Sequence, residues 1–142
     1  MGYQDIEESR LYQRAEKVGD QVWDLVIEWE SFARDTVGNQ LARAADSIGA
    51  NITESAGRYS PGDVIRFLHF ARGSLRETRF WLKRANKRQL ITNDTFNSLF
   101  AELTTLSLEL NNYIKYQRTR TVKEPGIEYT LDSENPPNEP TN

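Results

Sequence analysis

Apolar residues recur every three or four positions along most of this chain, and the recurrence falls into four segments. In the first, from about Ser9 to about Arg34, Leu11, Ala15, Val18, Val22, Leu25, Trp29 and Phe32 step by alternating fours and threes. That is a sustained heptad seam, and it predicts a long amphipathic helix. The stretch Asp35, Thr36, Val37, Gly38, Asn39 is polar and rich in breakers, which predicts a loop or a fresh helix start. From Asn39 to Ala56, Leu41, Ala44, Ala45, Ile48, Ile52 and Ser55 share one face, and many of the remaining residues are small. Small side chains allow close helix approach, which accounts for Gly49 inside a helix despite a cost of about 1 kcal/mol. Gly57 reads as a C-terminal cap.

Ser60, Pro61 and Asp63 form a helix start, with a capping serine, proline at the first helical position and a carboxylate three residues after the serine. The third segment runs from Pro61 to about Lys87 on a stripe of Val64, Phe67, Leu68, Ala71, Leu75, Thr78, Leu82 and Ala85. The fourth starts at Thr92, Asn93, Asp94 and carries Phe96, Leu99, Leu103, Leu106, Leu110 and Tyr113 to about Gln117. Beyond Arg120 the pattern fails. Asp132 to Asn142 is made of Pro, Asn, Glu, Ser, Thr and Asp, too polar to offset its ordering entropy, which predicts disorder. The expected organisation is an all-α, antiparallel up-down four-helix bundle over residues 1–120, with an acidic, proline-containing disordered tail over 121–142.

Composition narrows the chemistry. The 142 residues contain no cysteine, which removes disulfides, thiolate metal sites and thiol catalysis. No apolar run approaches the roughly 18 residues of a spanning helix, and no secretory signal opens the chain. These features point to a cytoplasmic protein with no membrane partner. Net charge is −3, but it is unevenly laid out. Residues 1–57 carry 5 basic and 11 acidic side chains, residues 58–88 carry 9 and 2, residues 89–120 carry 3 and 3, and residues 121–142 carry 1 and 5. A basic block inside an acidic chain is more informative than the net value.

No motif states a reaction. The one histidine, His69, stands off the third helix's apolar stripe and has no second histidine or cysteine to complete a metal site. The paired Glu-x-x-His of di-iron bundles and the Gly-rich phosphate loop are absent, and no Ser/His/Asp triad can be assigned. The expectation is a protein without catalytic residues, metal or cofactor. A small-molecule site would need an apolar cavity with converging polar groups.

Three sets of residues remain as candidates. Ser47, Asn51, Glu54 and Arg58 step by 4, 3, 4 along one edge of the second helix, and Glu77 borders the core of the third. They suggest a structural polar network across a helix interface. Arg72, Arg76, Arg79, Lys83 and Lys87 form a basic stripe on the third helix, able to track phosphates or a partner protein. The alternative for that stripe is a solvated face. Trp23, Ile27, Ile65 and Phe80 lie off the core stripes and suggest an interface between copies.

One stretch also resembles a known family. It comprises the run Gln40 to Ile48, then Asn51-Ile52-Thr53-Glu54, Gly57-Arg58, Phe67-Leu68 and Ala71-Arg72-Gly73-Ser74-Leu75-Arg76-Glu77. These motifs resemble the bacterial four-helix-bundle family of 23S rRNA intervening-sequence proteins, which includes accessory proteins of diversity-generating retroelements. The resemblance implies a non-catalytic bundle assembling as a ring, commonly a homopentamer. For the retroelement branch it implies binding to a reverse transcriptase and to RNA or DNA through basic residues, here the third-helix arginines. Ser55-Ala56 stands where the family usually has a glycine after the glutamate, and retroelement accessory proteins are typically basic where this chain is acidic.

Overall fold

The computed structural model describes residues 5–123, and these form an all-α bundle. The four main helices are α1 (Arg10–Val26), α2 (Asn39–Ala56), α3 (Pro61–Lys87) and α4 (Asn93–Lys123). α1 packs on α2 and α4, and α3 packs on α2 and α4, so the four helices stand at the corners of a square. α4 runs three residues past the expected bundle boundary at 120. The tail predicted to be disordered lies, from 124 onward, outside the described residues.

The core follows the heptad stripes. Leu11, Ala15, Val18 and Val22 of α1, Leu41, Ile48 and Ile52 of α2, Leu68, Leu75 and Leu82 of α3, and Leu103, Leu106 and Leu110 of α4 are all buried. Ser9 caps α1 by accepting a hydrogen bond from the Tyr12 amide at 3.2 Å. Thr92 does the same for α4 through the Thr95 amide at 3.1 Å.

The first predicted helix is shorter than its seam. α1 ends at Val26, and the chain turns tightly through Glu28 and Trp29, whose amides donate to the Leu25 and Val26 carbonyls. Glu30 then restarts the helix: its carboxylate accepts from the amides of Phe32 at 3.1 Å and Ala33 at 2.9 Å. From there a helical turn (Ser31–Ala33) and a wider π turn (Arg34–Gly38) run straight into α2. The seam therefore passes from Val22 to Val26 and on to Ala33 and Val37, while Phe32, expected in the core, is 74% exposed. Gly38 is buried helix, not loop. A Cβ there would meet Val26 Cγ1 at 2.7 Å and Trp29 Cε3 at 3.3 Å, so the glycine lets the helix pass close over the preceding turn.

Of two smaller expectations at the helix ends, one changes and one holds. Ser60 occupies the cap position of α3 without a side-chain cap bond, and Asp63 pairs instead with Arg66 at 3.1 Å. Gly57 is the C-terminal cap of α2 as expected, at φ −91° and so outside the left-handed region. The left-handed stop belongs to Gln89, at φ 62°. Its amide donates to Asn86 and the next amide, of Leu90, donates to Ala85, which makes a Schellman motif at the end of α3.

Candidate interaction surfaces

In a square bundle the α1/α2 seam lies across the molecule from the α3/α4 seam. These two sides carry opposite charge. On the α3/α4 side, Arg72, Arg76, Arg79, Lys83 and Lys87 line the edge of α3 that faces α4. Arg72 donates to Asn111 of α4 at 3.3 Å. Arg79 and Lys83 lie over the Phe100 ring, with Cζ and Nζ at 5.6 Å and 5.5 Å from its centroid. The Arg79 Nε is buried and has no hydrogen-bond partner among the described residues. None of Arg76, Arg79, Lys83 and Lys87 forms an ion pair with a described residue.

Burial, and after it the crowding of like charge, disfavours the charged forms on this side. Burial, then the Arg118 and Arg76 charges, holds Arg72 below the usual guanidinium value. Burial and Arg76 do the same to Arg79. Arg118 of α4 donates to His69 Nε2 at 3.1 Å, so His69 is neutral with its proton on Nδ1. Burial first, then Arg72 and Arg118, pushes the His69 pKa down to about 4.

On the α1/α2 side the helices approach over small residues. A Cβ on Gly19 would meet Asp46 Oδ1 at 2.6 Å, and one on Gly49 would meet the Tyr12 ring at 3.7 Å. The result is a groove of about 540 Å³ lined by Glu7, Tyr12, Glu16, Asp20, Asp46 and Thr53. Burial and the Asp20 charge raise the Asp46 pKa above the usual carboxylate value.

The apolar candidates divide between these sides. Trp23 and Ile27 continue the Glu16 and Asp20 edge of α1 and are 56% and 46% exposed. Phe80 flanks the basic stripe and is 54% exposed. Ile65 is a correction. It is fully buried, because the α3 stripe enters the core at Ile65 and Leu68, leaving Val64 and Phe67 half-buried at its edge. It offers no surface to another copy.

The expected polar network does not span helices. Asn51 donates back to the Ser47 carbonyl of its own helix at 2.9 Å, and Glu54 pairs with Arg58 one turn on. Glu77 is exposed and bonds to none of them. Arg58 instead crosses to α3, with its guanidinium 4.5 Å from the Phe67 ring centroid. The inter-helix tie is elsewhere: Arg14 of α1 reaches Glu109 at 2.8 Å and Glu102 at 3.4 Å on α4. Two glutamates seven residues apart on one edge of the fourth helix were the signal for it. A separate groove of about 810 Å³ sits at one end of the bundle among Glu30, Phe32, Val37, Trp81, Arg88 and Leu90. Among the described residues no group of three or more His, Asp or Glu is placed to hold a metal ion, and no helix is long and apolar enough to cross a membrane.

The class defined by this architecture is the antiparallel four-helix bundle with charged, partly apolar outer faces. The family model for 23S rRNA-intervening sequence proteins matches residues 7–112, and the chain belongs to that family. Among solved structures it is similar to a protein of unknown function from the S23 ribosomal protein family of Bacteroides thetaiotaomicron. The two are 24% identical over 74% of this chain and 98% of that one, with a TM-score of 0.67. At that identity the likeness speaks for the fold alone. No curated protein matches the chain.

Proposed function

We propose that this protein is a non-catalytic, cytoplasmic scaffold that works as a homo-oligomer, as a ring of the pentameric kind its family resemblance implies. The observation that carries the reading is that Trp23, Ile27 and Phe80 stay about half exposed although the bundle already has a complete core. Large apolar side chains on two separate faces of one small domain are costly in water and are accounted for by burial against other copies. Replacing Trp23 and Phe80 together with serine leaves every buried core side chain in place, at the cost of the edge contact between Phe80 and Trp81, whose ring centroids are 4.9 Å apart. Light scattering across a concentration series is expected to show association weakened at least about tenfold, as for loss of an aromatic anchor. A native chain that scatters only as monomer across the series would refute the reading, and association unchanged by the substitutions would remove the exposed aromatics as its basis.

A second reading has its own support in the basic stripe, whose Arg79 Nε is buried without a hydrogen-bond partner among the described residues. On it the protein is a nucleic-acid-binding accessory factor, such as the partner of a reverse transcriptase in a diversity-generating retroelement. It predicts RNA or DNA affinity that falls steeply between low and moderate salt and drops further with Arg76→Ala and Arg79→Ala. A titration without binding at low salt would dispose of it.

A further inference from the structure

Three of the exposed apolar side chains lie beside charge, Trp23 and Ile27 beside acidic residues and Phe80 beside basic ones, and the two signs lie on opposite sides of the bundle. On α1, Glu16, Asp20, Trp23 and Ile27 step by 4, 3, 4 and so share one edge. That edge borders the α1/α2 groove, about 540 Å³, whose floor is made of small residues such as Gly49 and Ala50. On α3, Arg76, Arg79, Phe80 and Lys83 occupy neighbouring positions along the opposite seam. The acidic groove is concave, and the side chains of Arg76 and Lys83 are long and exposed. Neither charge is neutralised within the described residues. Glu16 and Asp20 form no ion pair there, and neither do Arg76, Arg79 and Lys83.

We propose that the α1/α2 groove of one copy receives the α3/α4 ridge of the next, with Glu16, Asp20 and Asp46 meeting Arg76, Arg79 and Lys83 around a contact of Trp23 and Ile27 with Phe80. This deepens the scaffold reading and rests on it. The occupant is a second copy because both halves of a complementary pair are carried by one chain. A contact between two different faces is heterologous: each copy uses both, and assembly continues until a ring closes or a filament forms. The charges set register and partner choice, and the apolar groups supply most of the adhesion. Burial in the groove already holds the Asp46 carboxyl above its usual pKa, and an incoming guanidinium would bring it back down.

Charge reversal tests the pairing. The acidic-face variant is Glu16→Lys with Asp20→Lys, and the basic-face variant is Arg76→Glu with Lys83→Glu. All four positions lie outside the core, and circular dichroism melts establish that each variant folds. At a concentration where the native chain assembles, each variant alone is expected near the monomer mass of 16.4 kDa. An equimolar mixture is expected to regain association as one-to-one pairs and alternating chains, because each reversed face now complements the other; a ring of five, being odd, cannot close by strict alternation. Assembly of either folded variant alone, or a mixture that stays monomeric, overturns the pairing while leaving self-assembly by other faces intact. A native chain that is itself monomeric removes the scaffold reading as well. A labelled 20-nucleotide RNA completes the test. Dissociation of the assembly by RNA supports the pairing through competition for the ridge. RNA bound to an intact assembly and lost on Arg76→Glu with Lys83→Glu shows the ridge to be open, and overturns it.

Discussion

Two glycines with the same helix propensity are expected to respond oppositely to alanine. Gly38 is buried against Val26 and Trp29 with no room for a methyl group. Gly38→Ala should therefore destabilise the protein by about 1–3 kcal/mol through overpacking. Gly73 is exposed in mid-helix and a Cβ there meets nothing within 4 Å, so Gly73→Ala should stabilise by about 0.5–1 kcal/mol. Urea denaturation of the two variants beside the native chain measures both signs. His69 makes a pH prediction. Its folded pKa of about 4 lies below the usual 6.5, so on acidification the unfolded chain takes the proton first. Its contribution is intact above pH 6.5, is lost as pH falls toward 4, and changes no further below that. His69→Gln should lose less stability between pH 7 and pH 5 than the native chain does; an equal loss would assign the pH dependence to other groups. Almost none of this was legible in the sequence. Gly38 fell in a stretch read as a loop or a fresh helix start, because composition does not show what packs against a residue. His69 was set aside for lack of metal-ligating companions, and its partner Arg118 is 49 residues away.

At the scale of elements the periodic signal was strong. α2 spans the residues expected, and the stripes of α3 and α4 are buried nearly position for position. The failure came where one helix hands over to the next. The seam through Leu25, Trp29 and Phe32 is regular on paper, but a heptad pattern cannot tell a continuous helix from two helices whose stripes happen to be in phase. The deciding feature is Glu30, which turns back to cap the amides of Phe32 and Ala33. Glutamate is not among the favoured capping residues, so nothing in its type announced the break. Removing it in Glu30→Ala should cost about 1 kcal/mol, the usual worth of a helix cap. The loss should appear as faster amide hydrogen exchange at residues 31–38, with exchange in α3 unchanged. Uniformly faster exchange would mean that the break is held by the core alone.

For the whole molecule, the informative quantity is the layout of charge. The excess of acid in residues 1–57 and of base in residues 58–88 was plain from the sequence, and so was the stripe from Arg72 to Lys87. The helix packing that sets these charges on opposite sides was not, because it depends on which helix neighbours which. Of the proposed contact residues, Trp23, Ile27 and Phe80 are exposed on those sides, and Ile65 has gone into the core. A molecule with this layout is expected not to remain single. Native mass spectrometry of the full chain at about 10 μM, where contacts of micromolar affinity or better are populated, tests it directly. The expected spectrum is a closed assembly at a small whole multiple of 16.4 kDa, dominant over the monomer and disrupted in the charge-reversed variants. A spectrum containing only the monomer would contradict it.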